Sequence, residues 1–242
     1  MLKVKDLIVE INWKKILDKI SFQLENNQTL ALLGHNWSGK TTLLKAIMGL
    51  VPVKGEIIFE EENIVDKEIF QRARMWIGYI MQEVPEYTWI KVYDYVKNIL
   101  DLEKKFDEEK IAYYFDLLGL NWGTYKDRNF DIHLSWWEKK KIEIITTFLL
   151  DRKLYLLDEI EASLDATSRQ ILAQIIKDLQ NDWKSFILVS HNEEIISLAN
   201  EGILLCDGKL QAQWDVKTLL NLYLNRCEMC NWKNFSECEQ NN

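Results

Sequence analysis

Glycine is scarce in this chain: nine in 242 residues, where an ordinary domain carries about 7%. Basic charge is short as well. Lys and Arg total 30 against 38 Asp and Glu, a formal net charge of −8, and that balance argues against a nucleic-acid grip, which needs clustered cations to neutralise phosphates. No long hydrophobic run is present. The longest, "LLNLYL" and "IITTFLL", fall far below the roughly 20 residues of a spanning helix. The opening "MLKVKDLIVE" lacks a secretory apolar segment and reads as a first strand. Cysteines number four, three of them within the last 16 residues. That spacing gives no disulfide framework and points to a reducing cytoplasm.

Periodicity describes the rest. "LKVKDLIVEI" and "KISFQLE" alternate apolar and polar residues, "TLALLG" is a short buried run, and "GEIIFEEENIV", "KLYLLDE", "SFILVSH" and "GILLCDGKL" read as further strands. "GKTTLLKAIMGL" and "SRQILAQIIKDLQ" have helical spacing, and residues 91–150 form a mostly helical stretch between strands. Strands alternating with helices at both ends predict an α/β core with a mostly parallel sheet and a helical insertion. Residues 1–225 are expected to form the domain and 226–242 a polar tail.

Two stretches carry chemistry. Residues 34–41 (Gly34, His35, Asn36, Trp37, Ser38, Gly39, Lys40, Thr41) fit G-x-x-x-x-G-K-T between a predicted strand and helix, with Thr42 next. In that setting the pattern is a phosphate loop: backbone N–H groups and a helix N-terminus receive the phosphates, Lys40 reaches the outer ones, and the Thr41 hydroxyl suits Mg²⁺. In "LYLLDEIEASLD" a buried strand delivers Asp158 to its carboxyl end, where ligands gather in open parallel sheets. Asp158 suits the Mg²⁺ shell and Glu159 suits a general base acting on water.

With these residues in place the chain resembles the ABC-family ATPases. "LSWWEKKK" at 134–141 is similar to the family signature L-S-G-G-Q/E, Gln82 in "IMQE" stands at the Q-loop position, "SLD" at 163–165 resembles the D-loop, and "VSHNEE" supplies His191 as the switch histidine. The resemblance spans roughly residues 1–220. It implies a P-loop core with an antiparallel β subdomain and an inserted helical subdomain. It also implies a second copy of the subunit, with two ATP molecules and Mg²⁺ between the pair. Thr41, Asp158 and Gln82 would then serve the metal, and Glu159, Lys40, His191 and Gln82 would serve catalysis. Ser135, the two residues after it and Asp165 would face the partner's nucleotide.

The tryptophans depart from the family. There are ten, more than the glycines, and the family has glycine where this chain has Trp37, Trp136 and Trp137, so indoles are expected to crowd the phosphate loop and the signature. Elsewhere Asn precedes Trp at 12–13, 36–37, 121–122 and 231–232, and Asp at 182–183. Asn-Gly and Asp-Gly are strong turn pairs; Asn-Trp has no such logic. The pattern fits UGA codons that one bacterial code reads as glycine and another as tryptophan. If the tryptophans are genuine, the chain is expected to be a regulatory module that does not hydrolyse ATP.

Finer resemblances are to the ATPase of the Suf iron–sulfur assembly system: "LSWWEKKKIEI" beside "SGGEKKRNEI", and "LDEIEASLD" beside "LDEIDSGLD". They imply Suf-type scaffold partners. "LDATSRQIL" is closer to transporter ATPases, which implies a membrane permease docked near Gln82 and the helical insertion. Cys227, Cys230 and Cys238 read as reduced tail thiols without a fourth zinc ligand. Cys206 reads as a core thiol, "KKK" at 139–141 as a solvated helix face, and His35 as a residue acting through its backbone.

Overall fold

The computed structural model describes residues 1–85, 87, 89–131, 134–162 and 164–224, apart from the side chains of 222–224. Among the described residues there are two sheets. In the first, β1 (Leu2–Ile11) and β2 (Lys14–Leu24) form an antiparallel hairpin, and β4 (Lys54–Phe59) pairs with the other edge of β1. Leu2, Val4, Leu7 and Val9 of β1 are buried. The register shifts between Val4 and Leu7, around Asp6 at φ 46°, and this bulge keeps the apolar side chains on the inner face. "GEIIFEEENIV" is not one strand. A turn at Glu60 and Glu61, both at positive φ, folds it into β4 and the two-residue β5 (Glu62–Asn63).

The second sheet carries the site. Its strands are β3 (Thr29–Leu33), β6 (Ile77–Ile80), β7 (Leu154–Asp158), β8 (Ser185–Val189), β9 (Glu201–Cys206) and β10 (Lys209–Asp215), ordered β10-β9-β3-β8-β7-β6. All pairings are parallel except β9 with β10, which form a hairpin where the sequence reads as a single strand. Every residue of β3, β7 and β8 is buried, as central parallel strands covered on both faces require. Helix α1 (Lys40–Met48) packs between the two sheets: its Leu43, Leu44 and Ile47 share a core with Leu17, Phe59, Leu156 and Ile187. Each fully buried Leu or Ile there contributes about 1.5–3 kcal/mol. On the opposite face α7 (Ala166–Asn181) sets Leu172, Ile175 and Ile176 against Leu157, Phe186 and Leu188.

Between β6 and β7 lie α3 (Val92–Asp101), α4 (Glu108–Leu117), α5 (Trp122–Tyr125) and α6 (Trp136–Leu149). They enclose their own core around Val96, Phe115, Phe130 and Ile145, with Tyr95 stacked on Phe130 at 4.5 Å. This is the inserted helical subdomain. Short α2 (Ile69–Arg74) and α8 (Glu193–Ile196) and the final α9 (Val216–Leu224) complete the order. Among the described residues no helix is long and apolar enough to cross a membrane. The tail cysteines Cys227, Cys230 and Cys238, with His133 and Ser163, lie outside the described residues. Cys206 is buried in β9.

Candidate nucleotide site

The carboxyl ends of β3 and β7 bring the site together. After Leu33 the chain enters the loop through Gly34 at φ 149°, where a Cβ would lie 2.3 Å from the Leu205 carbonyl oxygen, so only glycine fits. It leaves through Gly39 at φ 105° into α1. Lys40 is buried and its Nζ donates to the carbonyls of Gly34 (2.8 Å) and His35 (3.0 Å). The Ser38 amide also donates to the His35 carbonyl at 3.1 Å. His35 therefore contributes through its backbone here. Burial lowers the Lys40 ammonium from its ordinary value, and the carboxylates of Glu159 and Asp158 oppose that shift. The Ser38 hydroxyl is buried with no hydrogen-bond partner, a donor free for a phosphate oxygen.

Asp158 ends β7 fully buried. One carboxylate oxygen accepts from the Thr41 hydroxyl at 3.1 Å, the other from the Tyr79 hydroxyl at 3.1 Å. Burial pushes its carboxyl above the usual carboxylate range, and those two hydrogen bonds oppose the shift. The Thr41 and Asp158 oxygens form the hard donor pair that a Mg²⁺ ion beside phosphates takes. The next residue, Glu159, adopts φ 49°, a left-handed conformation that costs a non-glycine residue about 1–3 kcal/mol. Its amide is tied to the Val189 carbonyl at 2.8 Å. Its carboxylate accepts from the Gln82 amide at 3.0 Å and stands 3.2 Å from His191 Nε2. A cleft of about 990 Å³ joins Lys40, Thr41, Thr42, Gln82 and Glu159 to Asn36 and Trp37, and runs on to Ile11 and Ile16 of the β1–β2 hairpin.

The signature stretch lies apart from this cleft. Ser135 caps α6 in a reciprocal pair with Glu138: the Ser135 amide and hydroxyl each donate to the Glu138 carboxylate at 2.7 Å, and the Glu138 amide returns a bond to the hydroxyl. Trp136 and Trp137 meet edge to face at 5.4 Å and are exposed. Asp165 caps α7 through Ser168, which holds its carboxyl down to about 2.

Two expectations need correction. Trp37 does not crowd the phosphates: at φ 71° its side chain leaves the loop and is 99% exposed, with no apolar seat. Nor is "KKK" a solvated face, because Lys140 is fully buried. It donates to the Met81 carbonyl and pairs with Glu143 at 2.9 Å. Burial lowers the lysine and raises the glutamate. The sequence reading also missed Tyr79, which sits on the short β6, and Glu161. Glu161 is buried, and accepts from the Ser190 hydroxyl and from the His191 amide (3.3 Å), so it holds the histidine's turn. Its position two residues past Glu159 in "LDEIEASLD" was the available signal.

A strand-to-helix phosphate loop facing an Asp-Glu strand end defines a P-loop ATPase. The chain belongs to the ABC transporter family, whose model matches residues 17–162; it binds ATP with Mg²⁺ and hydrolyses it. It is 33% identical over 237 residues, 95% of each chain, to an uncharacterized ABC transporter ATP-binding protein of Methanocaldococcus jannaschii. It is 32% identical to the energy-coupling factor transporter ATP-binding protein EcfA2 of Clostridium perfringens, over 85% of this chain and 77% of that one. The fold matches the ATP-binding subunit of an ABC transporter with TM-score 0.81 at 21% identity, covering 92% and 93% of the two chains. It also matches a dimeric post-hydrolysis ATP-binding cassette bound to ADP and Pi, with TM-score 0.78 at 18% identity over 89% and 99%. The two sequence relatives are named for transport rather than for iron–sulfur assembly.

Proposed function

We propose that the chain is the nucleotide-binding subunit of a membrane transporter, working at the cytoplasmic face as two copies that close around two ATP molecules. The observation that carries the reading is the Glu159 carboxylate, held between the Gln82 amide and the His191 imidazole beside the Thr41–Asp158 pair. Relatives named as transporter ATP-binding proteins, EcfA2 among them, support a membrane-embedded partner. That partner docks near Gln82 and the helical subdomain.

In this reading Lys40 and the loop amides hold the outer phosphates. Thr41, Asp158 and Gln82 would hold Mg²⁺, which when bound would offset phosphate charge. Glu159 takes a proton from water as the water oxygen bonds to the γ-phosphorus. The bond to the β–γ bridging oxygen breaks, leaving ADP and phosphate, while His191 contacts the γ-phosphate. Ser135, the two residues after it and Asp165 face the other copy's nucleotide. Those contacts need close amide approach at 136 and 137, and the backbone at 37 is left-handed, so we take positions 37, 136 and 137 as glycine, decoded from UGA, in the working subunit. Genuine indoles there leave a regulatory module without turnover.

The other reading, the Suf-type ATPase with a soluble scaffold, draws only on the short matches in "SWWEKKKIEI" and "LDEIEASLD". Purifying a tagged chain from membrane and soluble fractions of the source cells tests both. An integral membrane protein retained with the chain is the expected result. A soluble scaffold carrying labile sulfide overturns it in favour of the second reading.

A further inference from the structure

Fifteen non-glycine residues among those described adopt positive φ, and five of them are tryptophans: Trp13 (62°), Trp37 (71°), Trp76 (72°), Trp89 (65°) and Trp183 (62°). The other ten are Asp, Asn, Glu or Lys; no other aromatic and no aliphatic residue joins them. Bulky residues are the least suited to this region, yet more than half of the nine described tryptophans occupy it.

The chain supplies its own comparisons. Helix α1 ends on Gly49 at φ 83°, with the Gly49 amide on the Ala46 carbonyl and the Leu50 amide on the Lys45 carbonyl. Gly119, at φ 76°, closes α4 the same way, through the carbonyls of Asp116 and Phe115. Trp183 closes α7 with the same pair of bonds: its own amide to Gln180 and the Lys184 amide to Leu179. This helix stop calls for a left-handed residue and is usually made by glycine. Trp76 follows the C-cap of α2, its amide on the Ala73 carbonyl. The β9–β10 hairpin turns on Asp207–Gly208, at φ 48° and 72°. The β1–β2 hairpin turns on Asn12–Trp13 at 50° and 62°, the two-residue turn for which Asn-Gly is the preferred pair.

Side chains give the same answer. Trp13, Trp37, Trp89 and Trp183 are 104%, 99%, 89% and 77% exposed. Trp76 is 38% exposed and has the cations of Lys105 and Arg152 over its ring at 4.9 and 6.0 Å. Four of the five therefore stand in solvent rather than in a built apolar pocket. Trp122 differs: it is buried against Phe115 at 4.8 Å and donates from Nε1 to Glu108 at 3.0 Å. Trp214 lies in the regular strand β10. Neither takes part in the inference.

We infer that the polypeptide made by the source organism carries glycine at positions 13, 37, 76, 89 and 183, because the backbone at each is a glycine backbone. Four of the five belong to hairpin, helix-stop or surface-turn geometry, so the assignment holds whatever the nucleotide site does. It places the discrepancy in decoding: each of the five codons is UGA, read as glycine in the organism's own ribosomes.

The experiment is to read those five codons and to sequence, by tandem mass spectrometry, the matching peptides of the chain purified from its source organism. UGA codons and glycine in the peptides are expected. UGG codons, or tryptophan in the peptides, overturn the inference at once. An independent arm expresses the chain as written beside a variant with Trp13→Gly, Trp37→Gly, Trp76→Gly, Trp89→Gly and Trp183→Gly. The glycine variant is expected to melt about 10 °C higher, and a midpoint equal to or below that of the chain as written overturns the backbone argument. Failure of ATP turnover in either chain bears on the proposed function alone.

Discussion

His191 Nε2 stands 3.2 Å from the same Glu159 carboxylate that takes a 3.0 Å hydrogen bond from Gln82 on its other oxygen. Two separate segments, the chain after β6 and the turn after β8, therefore converge on one acceptor at the end of β7. Glu159→Gln keeps the shape and removes the proton acceptor. We expect ATP binding to survive and phosphate release to fall by about 10²–10⁴-fold. Binding and release are measured on the same preparation, with glycine at 37, 136 and 137. Turnover near the parent rate would remove Glu159 from the base role.

The Thr41 hydroxyl and Asp158 meet at 3.1 Å, and Tyr79 fixes the other Asp158 oxygen at the same distance. Thr41→Val deletes the donor oxygen with little change in volume. The Mg²⁺ concentration for half-maximal turnover is expected to rise by roughly tenfold or more. Tyr79→Phe, which loosens the aspartate from behind, is expected to raise it less. A Mg²⁺ titration of both variants checks the order, and an unchanged requirement in Thr41→Val would count against the metal assignment.

Much of this site is legible in the sequence for physical reasons. β3 and β7 are central parallel strands, so their apolar runs are unbroken and their ends are marked by Gly34 and Asp158. Tyr79 is illegible because β6 has only four residues and means nothing until it pairs with β7. Lys140 looks like one of three solvated lysines, since nothing local says that the middle one turns inward to the Met81 carbonyl. Trp37 misleads in the opposite sense. Its position in the loop suggests crowding, but a left-handed backbone aims the side chain outward. The transport reading over Suf-type assembly comes from relatives, because the short matches that favoured Suf include residues serving the core.

Glu161 makes stability depend on pH. Burial raises its carboxyl above the usual range, Glu159 nearby adds to the shift, and hydrogen bonds from Ser190 and His191 oppose it. The folded state then holds the proton more tightly than the unfolded chain, so stability falls as pH rises from the unfolded value of about 4.5 through the folded one. Glu161→Gln keeps an oxygen for Ser190 and the His191 amide and has no charge to bury. Its melting temperature relative to the parent is expected to climb between pH 4 and pH 8. A flat or falling difference across that range would show the carboxylate to be adequately compensated in the fold.

Lys140 and Glu143 give a sharper contrast between single and double changes. The pair is closed off from water at 2.9 Å, with the lysine also tied to the Met81 carbonyl. Removing one partner strands the other charge in the interior, which typically costs about 3–5 kcal/mol, whereas replacing both by apolar groups of similar size is often neutral. Lys140→Met is therefore expected to lose most of that amount in urea unfolding. Lys140→Met with Glu143→Leu is expected to recover to within about 1 kcal/mol of the parent. The Met81 carbonyl is left without its lysine in both variants, so any deficit that persists in the double variant measures that one bond. Additive losses in the double variant would mean that the two side chains act independently and that the ion pair does not hold α6 to the end of β6.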